Sequence, residues 1–294
     1  MRFENTRVIR GGMTSRQTYN FLLLGLIAYM MAMTSGLIGE IAGLILGNNM
    51  DDYLRTAVFT LGLGFVFMIV FPILHVKYIE KRPAVTMGYY KKGMIKKYLL
   101  GSFIGLVFMA VIVGLGLGLG AYDISSKTIT GGGLVMIAVM LLGFMIQGAA
   151  EEVLVRGWML PVLAKRYNVA WAIVLSSVFF AAIHAMNPGM TLMPVVNLIL
   201  VGIFLALYYL IEDSLWGVFG FHSFWNWVQG NVFGIKVSGS NLPGGSIFTT
   251  RNVEGKDLIS GGSFGAEGGV LCTAILILGI LVCLFMMKKR SENE

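Results

Sequence analysis

The chain has 294 residues, of which 56% are hydrophobic and 13% charged, with a formal net charge of +7. A soluble domain carries about 25% charged residues, so this chain lacks the polar atoms to cover a water-facing surface. The basic excess does not point to nucleic acid. Its Lys and Arg stand in short blocks between apolar runs, without aromatic residues interleaved, as orientation signals in membrane proteins do.

A transmembrane helix takes about 20 mostly apolar residues. In chain order the candidate runs are 19–47, 56–78, 98–121, 132–155, 169–186, 191–211, 214–234 and 269–287. They predict an all-α polytopic membrane helical bundle of about eight transmembrane helices, with residues 1–294 forming a single integral membrane domain. Residues 1–18 are polar and basic and the first run is too long for a cleavable signal, so it is expected to stay as the first span. That run contains Gly36, Gly39, Gly43 and Gly47 and is expected to bend or tilt. Of the Lys and Arg residues, 17 fall on one side of such a bundle, Arg2 among them, and 5 on the other, including Lys127. The excess assigns both termini to the cytoplasm, which an even number of spans requires. Residues 235–268 form a long Gly- and Ser-rich extracytoplasmic loop, either a lid or a solvated linker. Cys272 and Cys283 both lie in the last run and read as free, buried thiols.

Ionisable side chains inside a bilayer are costly and need a reason. Within Glu151-Glu152-Val-Leu-Val-Arg156, Glu152 and Arg156 stand one helical turn apart with the acid first, the better order for a pair. Glu151 points about 100° away and has no such partner in the motif, so it is the carboxylate free to act as a base. The plainer alternative is a solvated helix end. His184 follows in Phe180-Ala-Ala-Ile-His184. Glu151 lies 16 residues before Tyr167 and His184 lies 16 after Asn168, so in an antiparallel hairpin turning there the two should stand at equal height. Pro161 in the first arm is expected to kink it. Residues 187–190 read as an outer turn, which conflicts with Glu151 near the cytoplasmic end of its span. Either the spans pass the membrane surface or that turn dips into the protein.

His222 and Asn226, in Phe221-His222-Ser-Phe-Trp-Asn226, share a face one turn apart. Asn226 either holds the imidazole or joins His222 in donating to an oxyanion. The plainer alternative is interhelical hydrogen bonding. Trp225 and Trp227 flank Asn226 and read either as packing residues or as substrate contacts. The third histidine, His75, reads as interfacial and structural.

The three elements E-E-x-x-x-R, F-x-x-x-H and H-x-x-x-N, in that order on successive spans, resemble the type II CAAX prenyl endopeptidase and bacteriocin-immunity family, also called CPBP or Abi. The resemblance covers residues from about 130 to 234, which would be the catalytic core. Members commonly have Phe where this chain has Val155, an apolar change beside the motif. The resemblance implies an intramembrane endopeptidase in which glutamate activates water and no cofactor is needed. Glu151 would be the base and His184 would share the water. His222 and Asn226 would stabilise the oxyanion, and Glu152 with Arg156 would support the site. The implied partners are a membrane-associated protein or peptide substrate and the lipid bilayer, with no nucleic acid. The short tails and eight spans suggest a bacterial cell membrane.

Three other readings stay open. Glu151, His184 and His222 have the ligand types of a His₂Glu zinc site, although no H-E-x-x-H is present. A non-catalytic immunity or regulatory scaffold is the second. A transporter is the third, with Glu40 as a relay acid, but no inverted repeat accompanies it.

Overall fold

In hydrocarbon every backbone N–H and C=O must be satisfied within the protein, and apolar runs of this length meet that demand as helices. The computed structural model describes residues 3–126, 131–241 and 245–292; Arg2 and Lys127, counted above, lie outside them. A short helix α1 (Arg7–Met13) precedes α2 (Phe21–Leu46). Then come α3 (Thr56–Tyr78), α4 (Met94–Gly118) and α5 (Gly131–Arg166). They are followed by α6 (Val169–Ile183) and α7 (Leu192–Glu212). Helix α8 (Trp216–Trp227) continues through a π turn at Val228–Val232, and α9 (Val270–Glu292) ends the bundle.

Six of these helices, α2, α3, α4, α5, α7 and α9, are long and apolar enough to cross a membrane. The chain is therefore a multi-pass membrane protein. The remaining two apolar runs form shorter helices: α6 has 15 residues, and α8 has 12 followed by a π turn of 5. Helix α7 is the central one, with 67% of its apolar window buried, whereas α2 stands at the rim with 17%. Leu22, Leu26, Met30, Leu44 and Ile45 of α2 are exposed, as suits side chains that face lipid tails. Cys272 and Cys283 are free and buried within α9.

The fourth run extends well past the expected 132–155. Helix α5 has 36 residues and does not break at Pro161. Instead the chain widens into a π segment, Val153–Met159, just before the proline. Proline lacks the N–H that would bond the carbonyl of Gly157, and its ring needs room there. The wider turn supplies that room, so the expected kink becomes a continuous helix.

Helices α4 and α8 touch backbone to backbone. A Cβ on Gly101 would stand 1.9 Å from the carbonyl oxygen of Gly217, and one on Gly105 would stand 2.4 Å from that of Phe221. Without a hydrophobic drive between helices in lipid, such close approach of small residues is a main source of association.

One end of the bundle joins α1, the connection after α3, the α7–α8 turn and the end of α9. Arg7 pairs with Asp213 at 2.7 Å, Leu215 N–H donates to the Gly88 carbonyl, and Arg290 donates to the Ile211 carbonyl. At the opposite end two short strands, β1 (Tyr122–Ser126) and β2 (Phe248–Asn252), pair antiparallel. Five residues each, they leave the all-α expectation in place. Tyr122 Oη also donates to the Ser260 carbonyl at 2.7 Å. Residues 235–268 are thus folded against the bundle, with 242–244 outside the described residues.

Gly101→Ala is expected to destabilise the protein by about 1–3 kcal/mol through overpacking, read as a lower melting temperature in detergent. Gly114→Ala, whose Cβ would meet nothing within 4 Å, is the control that should leave it unchanged.

Candidate active site

Helix lengths set the depth of the site. Asn168 opens α6 by accepting a hydrogen bond from the Trp171 N–H, and the helix ends at Ile183. Its 15 residues rise about 22 Å, less than the roughly 30 Å of hydrocarbon. Glu151 stands 15 residues before the end of α5 at Arg166, again about 22 Å along the helix. His184 and Glu151 therefore meet inside the bundle, as the hairpin spacing predicts.

Helix α5 runs on to Arg166, and the turn after α6 lies against the 235–268 segment. There Asn187 Nδ2 donates to the Ser238 carbonyl at 2.9 Å.

Helix α8 reaches the same level because α5 is bare at Gly148. A Cβ there would lie 2.8 Å from the Ser223 backbone nitrogen. This approach brings His222 Nδ1 to 2.9 Å from Glu152 Oε1. The same oxygen accepts from Arg156 Nη1 at 2.9 Å, and Glu152 and Arg156 are both fully buried. The expected Glu152–Arg156 pair is present, and it also holds the imidazole. Asn226 does not hold it. Arg156 Nη2 further donates to the Gly202 carbonyl of α7 at 3.2 Å, and the guanidinium lies over the Phe180 ring at 4.7 Å.

Glu151 has a partner that the sequence reading missed. Gln147, one turn earlier on α5, donates from Nε2 to Glu151 Oε1 at 2.5 Å, and Asn226 Nδ2 donates to Gln147 Oε1 at 2.9 Å. The signal was available, since a polar amide four residues before an acid shares its helix face. The second carboxylate oxygen, Glu151 Oε2, is 3.8 Å from His184 Nε2 and 3.7 Å from His222 Nε2. His184 Nδ1 lies 2.8 Å from the Phe180 carbonyl. Both Nδ1 atoms thus face acceptor oxygens and carry protons, which turns both Nε2 atoms toward Glu151.

These groups line a cavity of about 320 Å³ with Phe144, Phe221, Trp225 and, from the 235–268 segment, Val237, Ser238 and Glu267. The Glu267 carboxylate accepts from Trp225 Nε1 at 3.1 Å, from the Ser238 N–H at 2.6 Å and from Ser238 Oγ at 3.0 Å. Val237, Ser238, Ser240 and Glu267 of that segment therefore form part of the cavity wall. Trp227 points elsewhere and donates to the Ile137 carbonyl.

His75 lies outside this cavity. It contacts the Tyr19 hydroxyl at 2.8 Å and packs on Trp158. Glu40 is exposed on α2 and is likewise absent from the cavity wall.

Residues 133–228 match the family model Type II CAAX prenyl endopeptidase Rce1-like. This is the family that the three motifs resemble. The matched segment is about a third of the chain and contains Gln147, Glu151, Glu152, Arg156, His184, His222 and Asn226. No curated protein matches the chain.

Arg156→Met would leave Glu152 buried without its guanidinium, and breaking such a pair costs about 3–5 kcal/mol. The expected outcome is a large drop in thermal stability in detergent, partly recovered when Glu152→Gln is added.

Proposed function

We propose that the chain is an intramembrane endopeptidase that hydrolyses peptide bonds of membrane-associated proteins or peptides with water activated by Glu151. The observation that carries this reading is the convergence of His184 Nε2 and His222 Nε2 within 3.8 Å of Glu151 Oε2, in a cavity lined by all three residues. At 3.7–3.8 Å these atoms are too far apart for direct hydrogen bonds, yet close enough to share one water between carboxylate and imidazole.

In the proposed reaction His184 Nε2 orients the attacking water and Glu151 Oε2 removes its proton. The water oxygen bonds to the scissile carbonyl carbon, and the resulting oxyanion accepts from His222 Nε2–H and Asn226 Nδ2. Glu151 then passes its proton to the departing amine nitrogen as the C–N bond breaks. For this role His222 carries a proton on both nitrogens. The buried charges of Glu151, Glu152 and Arg156 sum to −1, and a cationic His222 balances them. Glu152 and Arg156 support the site by holding that imidazole.

The same proposal takes the chain as one membrane domain of eight spans, counting α6 and α8, with both termini cytoplasmic in a bacterial cell membrane. Its catalytic core would be 130–234 and its extracytoplasmic loop 235–268. It needs no cofactor, and zinc bound by Glu151, His184 and His222 is the rival that the test must separate.

The test uses purified protein reconstituted in liposomes and a library of internally quenched peptides, some ending in a farnesylated CAAX sequence. Wild type is expected to cleave a subset. Glu151→Ala and His184→Ala should each lose about 10²–10⁴-fold in rate, and exhaustive chelation should change nothing. Equal cleavage by wild type and Glu151→Ala would overturn the proposal in favour of a scaffold. Loss on chelation that only zinc restores would transfer the same three residues to a metal mechanism.

A further inference from the structure

We infer that Gln147 is a positioning residue for Glu151, and that Asn226 acts on the carboxylate through it. The inference rests on the endopeptidase reading for its catalytic meaning, while its geometry stands separately. Gln147 is 8% exposed, and its side-chain amide touches two groups, Glu151 Oε1 at 2.5 Å and Asn226 Nδ2 at 2.9 Å. A polar side chain between two membrane helices is ordinarily explained as an interhelical hydrogen bond. Three features go beyond that.

The amide has one orientation. A carboxylate only accepts hydrogen bonds and the Asn226 NH₂ only donates. Flipping the Gln147 amide would set its oxygen against Glu151 Oε1 and its NH₂ against that of Asn226, turning both contacts repulsive. Asn226 therefore locks the amide, and the amide locks the carboxylate.

The two oxygens of Glu151 are thereby made unequal. Oε1 is occupied by Gln147, while Oε2 is buried with no hydrogen-bond partner among the described residues and lies nearest both imidazoles. Without the amide the carboxylate could rotate about its terminal torsion, which is broad, and either oxygen could turn away from His184.

The polarity of the chain also runs one way. Asn226 donates to Gln147 and Gln147 donates to Glu151, so each bond polarises the next toward the carboxylate. This gives Asn226 an effect on the base besides any contact with the oxyanion.

The test compares Gln147→Met, which keeps length and apolar bulk while removing both hydrogen bonds, with wild type and with Asn226→Leu. In wild type Gln147→Met is expected to lower kcat by about 10–100-fold with KM changed less than about threefold, the loss of one charge-assisted bond. In the Asn226→Leu background the same substitution should cost less than about threefold, because the amide is already unlocked. An equal factor in both backgrounds would sink the coupling, and an unchanged kcat would sink the inference while Glu151→Ala still tests the endopeptidase reading.

Discussion

A single carboxylate oxygen, Glu152 Oε1, holds the core helices in register. It accepts from Arg156 on its own helix and from His222 on α8, while Arg156 reaches on to the Gly202 carbonyl of α7 and lies over Phe180 of α6. Four helices are thus tied by one buried ionic group. Ionic groups at this depth are tolerated when they are paired and hydrogen-bonded to one another. Once His222 is held at Nδ1, its other nitrogen has no choice of direction. The geometry around Glu151 follows from that restraint.

The remaining requirement is close approach, and small residues meet it. Gly148 lets α8 lie against α5 at the level of the cluster, and Gly101 and Gly105 let α4 press α8 inward from the other side. The depth of the cluster comes from helix length. Helix α6 has 15 residues and is capped by His184, so its length sets that imidazole beside Glu151. The turn at 187–190 follows, and Asn187 bonds the 235–268 segment at Ser238.

Much of this was legible in the sequence because it depends on counting along helices. The Glu152–Arg156 pair needs only a four-residue spacing, and the meeting of Glu151 with His184 needs only a turn near Asn168. What was not legible depends on how helices cross. The bond between Glu152 and His222 exists because α5 and α8 touch at Gly148, and no spacing within either helix reveals that. Gln147 was passed over because a neutral amide in an apolar run looks like tolerated polarity, although it stood on the face of Glu151. The 235–268 segment, read as either a lid or a solvated linker, is held by contacts that no spacing reveals: Gly239 N–H donates to the Phe264 carbonyl, and Glu267 accepts from Trp225 and Ser238.

The cavity wall is assembled from parts of the chain with different affiliations. Every polar group of the central cluster falls within residues 133–228. Tyr29, Met33, Phe65 and Met68 come from before that stretch, and Val237, Ser238, Ser240 and Glu267 come from after it. Reactive groups and much of the surrounding mould are therefore carried by separate tracts of sequence. Substitutions in the flanking tracts can reshape what the chamber accommodates without touching the polar cluster. Two chains alike across the central stretch would share their chemistry and still differ in what they admit.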